Sequence, residues 1–122
     1  MRAIETKIID WVKTHDSGEF RPSMRDYVKG TGKGIYYFRL WDSLIFVKMK
    51  NAVFFSFCGY GTLTTKSRIN AFLSAFSTGY VRQKNYTMFY NDFELKLDKI
   101  YRVADGKIEQ VDWDIFWASI KY

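Results

Sequence analysis

Six basic side chains in the middle of the chain could bind an anion, because no carboxylate accompanies them. Between Ser43 and Asn91 the sequence has no aspartate or glutamate, and the whole formal net charge of +6 resides in this window. A basic surface of this kind attracts nucleic acid or an acidic protein. The residues predicted to form this basic face are Lys48, Lys50, Lys66, Arg68, Arg82 and Lys84.

A glycine turn followed by threonines is the second candidate site. Gly59-Tyr60-Gly61 leads into a helical pattern, and the N–H groups and dipole of a helix N-terminus favour an anion. The favoured interpretation is simpler: the glycines turn the chain, and Thr64 or Thr65 caps the helix. If a phosphate does bind, the candidate anion site consists of Gly61, Thr62, Thr64 and Thr65.

The tyrosines are the aromatic residues most suited to a surface role. Tyrosine tolerates water, stacks on bases beside lysine or arginine, and anchors protein interfaces. We predict that Tyr60, Tyr80 and Tyr86 are exposed aromatic anchors, whereas most of the phenylalanines fill the core.

The residues of the common catalytic and metal sites are few. His15 is the one histidine and Cys58 the one cysteine, and no pattern places them together. Asp92, Glu94 and Asp98 could share a strand face and bind a divalent cation, although solvating a hairpin is the simpler role. We expect no catalytic activity, no metal and no cofactor, because the usual site chemistry is missing.

The elements that position these residues follow from periodicity and turn chemistry. A helix is predicted over 2–14, and a second from Thr64 or Thr65 to about Phe76. Residues 23–29 fit a helix or a strand equally. The predicted strands cover 35–41, 44–49, 52–57, 80–90, 93–97 and 100–103. Asp112 is predicted to cap a final helix that carries Trp113, Ile115, Phe116, Trp117 and Ile120.

Length and composition complete the expected architecture. A chain of 122 residues with 48% hydrophobic residues fits a single domain over 1–122. We predict an α+β fold in which an antiparallel sheet of about five or six strands is packed by two or three helices. No signal-peptide or membrane-spanning pattern is present, so a cytoplasmic location is expected, in the host cell if a phage encodes the chain.

One stretch of the sequence is similar to known proteins. Ile35-Tyr36-Tyr37-Phe38, Leu44-Ile45-Phe46-Val47 and the run from Gly59 through Thr64-Thr65 to Asn70 carry the similarity. Over about residues 35–75 the chain resembles small accessory proteins of tailed bacteriophages, which show a two-hairpin sheet followed by a Thr-Thr-x-x-x-x-Asn helix start. The resemblance implies a phage accessory protein that acts by stoichiometric binding.

Three functions remain open at this point. The leading hypothesis is a non-enzymatic phage accessory or anti-defence inhibitor that binds a host protein or nucleoprotein complex through a basic, aromatic surface. The first alternative is direct binding of single-stranded nucleic acid, with an affinity that falls steeply as salt is raised. The second is a phosphate or nucleotide pocket at the glycine turn.

Overall fold

A seven-stranded antiparallel sheet carries two helices on one of its faces. The computed structural model describes residues 1–112. The strand order of the large sheet is β1-β2-β3-β4-β5-β9-β10, and β6-β7-β8 form a separate three-stranded sheet. The elements are α1 Ala3–Thr14, β1 Ser17–Phe20, β2 Asp26–Thr31, β3 Tyr36–Leu40, β4 Ser43–Lys48, β5 Val53–Phe55, α2 Leu63–Phe76, β6 Val81–Lys84, β7 Thr87–Tyr90, β8 Phe93–Leu95, β9 Ile100–Ala104 and β10 Lys107–Val111.

The predicted α+β class is confirmed, with more strands than expected. Residues 1–112 form two helices and ten strands, whereas the sequence indicated five or six strands. Residues 23–29, for which helix and strand were equally predicted, contribute the first part of β2. The stretch 80–90 is two strands, because Asn85 and Tyr86 both take positive φ and turn the chain. The predicted final helix lies outside the described residues.

Alternation along the strands gives the large sheet two different faces. Val28, Phe38 and Phe46 belong to the main core together with Ile8 of α1 and Phe72 of α2. We call this the helix face. The opposite face, which we call the outer face, holds a smaller apolar cluster around Leu44, Val47, Phe54 and Ile100. The register shift at Phe38/Arg39 leaves Ile45 as an extra residue on β4, so the consecutive residues Ile45 and Phe46 both belong to the main core.

A buried ion-pair network joins both helices to the sheet. The Arg68 guanidinium of α2 donates to Asp26 Oδ1 at 2.8 Å and to Glu5 Oε2 at 2.8 Å. Ser67 Oγ donates to the same Glu5 oxygen at 2.6 Å, and the Arg2 N–H donates to Glu5 Oε1. Burial would raise the pKa of Glu5, but the hydrogen bonds from Ser67, Arg2 and Arg68 outweigh it and lower the pKa.

This network predicts that acid destabilises the fold through Glu5. Because the folded-state pKa of Glu5 lies below its usual value, its stabilising contribution is complete above the unfolded-state pKa, about 4.3. That contribution is lost as pH falls through the folded-state pKa. We expect urea unfolding to give a free energy that drops on acidification below about pH 4.3. Glu5→Gln should show a shallower drop, and equal slopes for the two proteins would contradict the role of Glu5.

The three-stranded sheet is attached to α2 by one side-chain amide. Asn70 donates from Nδ2 to the Val81 carbonyl at 2.8 Å, and its Oδ1 accepts from the Val81 N–H at 2.7 Å. The amide therefore pairs with the edge of β6 as a neighbouring strand would. Tyr90 of β7 packs on Phe55 of the large sheet, with ring centroids 6.2 Å apart. In the described residues, neither helix is long and apolar enough to cross a membrane.

Candidate functional site

The glycine turn before α2 leads to a helix cap, as the favoured interpretation predicted, but the capping residue is Thr62. Thr62 Oγ1 accepts from the Thr65 N–H at 3.1 Å, and the two hydroxyls are 2.9 Å apart. The prediction that Thr64 or Thr65 caps the helix is therefore wrong by two or three positions. Thr65 is buried, and Thr64 Oγ1 accepts from the Arg2 guanidinium at 3.4 Å. Gly61 lies exposed against Leu97.

A cleft of about 550 Å³ opens beside this helix start. Its apolar floor consists of Leu40, Ile45 and Phe57, which all belong to the main core. Thr62, Thr64 and Thr65 line the cleft at the start of α2. The remaining lining residues are Arg25, Trp41, Asp42, Ser43 and Tyr60. The volume lies within the range of small-molecule and side-chain binding pockets.

Two exposed aromatic side chains flank the cleft. Trp41 is 61% exposed and Tyr60 is 63% exposed. The Trp41 N–H donates to the Arg25 carbonyl at 2.6 Å, so the tryptophan and the arginine are held together. Tyr60 follows the Cys58-Gly59 turn, where the Gly59 N–H donates to the Leu97 carbonyl at 2.7 Å. Both aromatic residues are therefore presented on backbone that is fixed by hydrogen bonds.

Two further apolar side chains are exposed at positions adjacent in sequence to residues of the cleft lining. Met24 and Leu63 are 84% and 66% exposed, and each is a sequence neighbour of a lining residue. We call Met24, Arg25, Trp41, Tyr60 and Leu63 the cleft rim. Large apolar side chains that gather at a concave site mark an interaction surface, whereas single ones scattered over a protein do not.

Trp41 has an unfavourable backbone conformation for its type. Its φ is +56°, in the left-handed region, and it occupies the two-residue turn between β3 and β4. A bulky residue there costs about 1–2 kcal/mol relative to glycine. Backbone strain that persists at an exposed cleft residue supports a functional hypothesis for the side chain. Trp41 was not among the predicted surface residues, although its position directly before the turn residues Asp42-Ser43 is a signal of exposure.

The predicted basic face is distributed over several elements. Lys48 is half-buried, with Nζ 5.5 Å from the ring centroid of Tyr36 and 5.6 Å from that of Phe76. Lys50 is exposed in the turn after β4, and Lys66 is half-buried in the first turns of α2. Lys84 is exposed at the end of β6. Arg82 lies over the Phe89 ring and forms an exposed ion pair with Asp92 at 3.7 Å.

Arg68 was wrongly assigned to the basic face. It is 1% exposed and forms the ion-pair network with Glu5 and Asp26 on the helix face. Burial alone would lower the pKa of Arg68, but the hydrogen bonds and charges of Asp26 and Glu5 raise it, so the group stays charged. The positive charge of Arg68 is thus neutralised inside the fold and contributes nothing to an exposed surface.

The three predicted aromatic anchors are exposed at separate places. Tyr60 lies at the cleft rim. Tyr80 precedes β6 and is 56% exposed, whereas Tyr86 is 95% exposed in the turn between β6 and β7. Tyr80 and Tyr86 therefore belong to the three-stranded sheet and not to the cleft.

The residues considered for enzyme chemistry form contacts within the fold. His15 stacks on Trp11, with ring centroids 4.8 Å apart, after α1. Cys58 is half-buried, its Sγ donates to the Leu44 carbonyl at 3.2 Å, and burial raises the pKa of its thiol. A raised pKa makes the thiol a poorer nucleophile. Asp92 precedes β8 and Glu94 lies within it. Within residues 1–112 no group of three or more His, Cys, Asp or Glu side chains could hold a metal ion.

Comparison with known families identifies the origin of the chain. The sequence model of the family described as Kyanoviridae Gp96 protein matches residues 1–118. The chain belongs to this phage protein family. The match confirms the resemblance to phage proteins seen over residues 35–75 and extends it across nearly the whole sequence. Neither the curated proteins nor the solved structures contain a significant match.

Proposed function

We propose that this Gp96 family protein is a non-enzymatic phage accessory protein that binds a host protein complex through its cleft rim. The proposal rests on one observation, the exposure of Trp41 and Tyr60 in the lining of a cleft that also contains the core residues Leu40, Ile45 and Phe57. Tryptophan, tyrosine, methionine and arginine are the residues enriched where protein interfaces are strongest. An anti-defence role follows if the bound complex is one that acts against the phage.

Charge around the cleft favours an acidic partner surface. Arg25 is exposed in the lining, and Arg2 reaches the Thr64 hydroxyl at the α2 side. Asp42 is the acidic residue of the described lining. The protein as a whole carries a net charge of +6, so an acidic partner would be attracted over long range as well. In this arrangement arginines steer association, while the aromatic side chains bury apolar area and supply affinity.

Binding through the cleft rim predicts that Trp41→Gly/Tyr60→Ala abolishes capture of a host complex. The tagged protein would be used to capture partners from a lysate of the phage's host cell, and the bound proteins would be quantified by mass spectrometry. We expect recovery of the partner to fall about thirtyfold or more, since interface anchors contribute about 2 kcal/mol or more. Glycine suits the positive φ of Trp41, so the variant should fold and even gain about 1 kcal/mol.

A matched control is available on the three-stranded sheet. Tyr80→Ala/Tyr86→Gly also removes two exposed aromatic side chains, one of them at a φ of +66°. This control should capture the same complex at wild-type level. If it loses the complex and the cleft variant keeps it, the binding surface lies on the three-stranded sheet and the cleft proposal is wrong. Equal recovery by all three proteins would reject both surfaces.

A further inference from the structure

The outer face of β1–β3 is a polar surface that the cleft proposal does not use. Alternation sends Val28 and Phe38 into the main core, so Tyr27 and Lys29 of β2 and Tyr37 and Arg39 of β3 project from the opposite face. Lys29 is exposed, and the other three are half-buried. Lys29 therefore contacts solvent on the outer face, and the other three side chains contact it in part.

Basic residues and tyrosines alternate on this surface, both along each strand and across the pair of strands. The strand register pairs Lys29 with Tyr37 and Tyr27 with Arg39. Side chains directly opposite each other on antiparallel strands have Cβ atoms about 4.5–5.5 Å apart. Each tyrosine is thus bordered by a basic residue across the strand and by another along it. The result is a small basic and aromatic patch that is built on rigid strands.

Arg21 extends the patch beyond β1. Its guanidinium carbon lies 5.0 Å from the Tyr27 ring centroid. Burial raises the pKa of Tyr27, the hydrogen bond to Glu19 and the Glu19 charge raise it further, and the charges of Arg39 and Arg21 lower it. Both arginines therefore act on the Tyr27 hydroxyl. We call Arg21, Tyr27, Lys29, Tyr37 and Arg39 the outer-face patch.

Within β1–β3 one carboxylate opposes the charge of this patch, while Arg39 also lines a second cleft with Asp42 and Asp98 and donates to the Asp42 carbonyl at 3.3 Å. Glu19 is the acidic side chain that β1–β3 place on the outer face, where it faces Lys29 and accepts from the Tyr27 hydroxyl. Asp26, the other carboxylate of these strands, points to the helix face and is neutralised by Arg68. The buried ion pair thus keeps the Asp26 carboxylate away from the outer face, where Glu19 is the one β1–β3 carboxylate beside Arg21, Lys29 and Arg39.

The composition of the patch distinguishes between two kinds of anionic partner. A protein interface needs an apolar centre, and the outward side chains of β1–β3 are serine, threonine, tyrosine, basic residues and one glutamate. Leu44 and Val47 of the outer-face cluster are buried, and Ile35 is half-buried against that cluster, as is Tyr37. Cations that neutralise phosphates and aromatic rings that stack on bases are what single-stranded nucleic acid requires.

We infer that the outer-face patch binds single-stranded nucleic acid, independently of the cleft rim. Arg21, Lys29 and Arg39 contact phosphates, and the rings of Tyr27 and Tyr37 stack with bases, with the Arg21 guanidinium in the same stack. The inference goes beyond the proposed function, because it assigns a second ligand class to a different surface. Together the two surfaces suit a partner that contains both protein and nucleic acid.

Fluorescence anisotropy with a labelled thymidine oligonucleotide tests the inference. With about three phosphates neutralised, the log–log dependence of affinity on salt should have a slope of about −2. Affinity should then fall roughly tenfold to twentyfold between about 50 and 200 mM salt. Arg21→Ala/Lys29→Ala should reduce the slope by about 1.4, since each lost phosphate contact removes about 0.7. Tyr37→Leu should weaken binding about tenfold with the slope unchanged, because stacking carries no counterion release.

Two comparisons make the result decisive. Lys7→Ala/Lys13→Ala removes the same charge from exposed positions of α1, on the other side of the sheet, and should leave binding at wild-type level. The cleft variant Trp41→Gly/Tyr60→Ala should bind the oligonucleotide with wild-type affinity. This result would separate binding at the outer-face patch from binding at the cleft rim. Absence of binding at low salt, equal weakening by the α1 pair, or equal competition by polyglutamate would overturn the inference; the last result would identify an acidic protein surface as the ligand.

Discussion

Replacing Arg68 by methionine is expected to lower the free energy of unfolding by about 3–5 kcal/mol. The substitution keeps much of the side-chain volume but leaves the buried carboxylates of Glu5 and Asp26 without their cation. A buried carboxylate without its cation loses the ion-pair attraction but keeps the free-energy cost of desolvation. Removing one partner of a buried ion pair is therefore strongly destabilising. Equilibrium urea unfolding at neutral pH measures the effect.

A neighbouring basic residue provides the control for Arg68. Lys66 is two positions earlier in α2 and half-buried, and Lys66→Met should change stability by less than about 1 kcal/mol. The triple variant Glu5→Gln/Asp26→Asn/Arg68→Met should recover part of the loss, because it removes the uncompensated carboxylates. If Arg68→Met costs no more than Lys66→Met, the ion-pair network does not stabilise the fold.

Truncating Phe72 to alanine is expected to cost about 3–5 kcal/mol as well, for a different reason. Phe72 is 1% exposed, and its ring centroid lies 4.5 Å from that of Phe38 and 5.4 Å from that of Phe46. The three rings join α2 to β3 and β4, so a cavity there cannot close without moving the helix against the sheet. Thermal and urea unfolding should both report the loss.

Phe76, one turn further along α2, is the matched comparison for Phe72. It is half-buried, and its ring centroid lies 5.9 Å from that of Phe38. Phe76→Ala should cost clearly less than Phe72→Ala, since water can fill the space that the ring leaves. Equal costs would mean that the aromatic cluster is not centred on Phe72.

The sequence predicted the parts of this fold that depend on local pattern. The meander of β3, β4 and β5 followed from short aromatic and β-branched runs separated by turn residues, and α2 followed from Ile69, Phe72, Leu73 and Phe76 at helical spacing. By contrast, β1 and β10 carry little apolar patterning, because they are edge strands with mostly exposed side chains. Their pairing partners define them, and pairing is not visible in local composition.

The candidate site was predicted only in part, for a similar reason. Tyr60 was correctly expected to be exposed beside the glycine turn. Arg68 was misassigned because its partners, Glu5 and Asp26, are 63 and 42 residues away in sequence. No carboxylate lies near Arg68 in the sequence, so an exposed and unpaired cation was expected. In the structure two carboxylates contact it. Trp41 was overlooked because it was assigned to the predicted strand over 35–41, whereas β3 ends at Leu40 and Trp41 lies in the turn.

The long reach of the ion-pair network also determines when the chain can fold during translation. Glu5 and Asp26 leave the ribosome well before the guanidinium that neutralises them, so the nascent N-terminal part carries two carboxylates it cannot bury. Completion of the large sheet is delayed further, because β5 pairs with β9 and β9 begins at Ile100. At a translation rate of about 5–20 residues per second, roughly two to six seconds separate the synthesis of Arg68 from that of Ile100. The large sheet of a newly made molecule thus stays incomplete, with the β5 edge unpaired, until β9 has been synthesised.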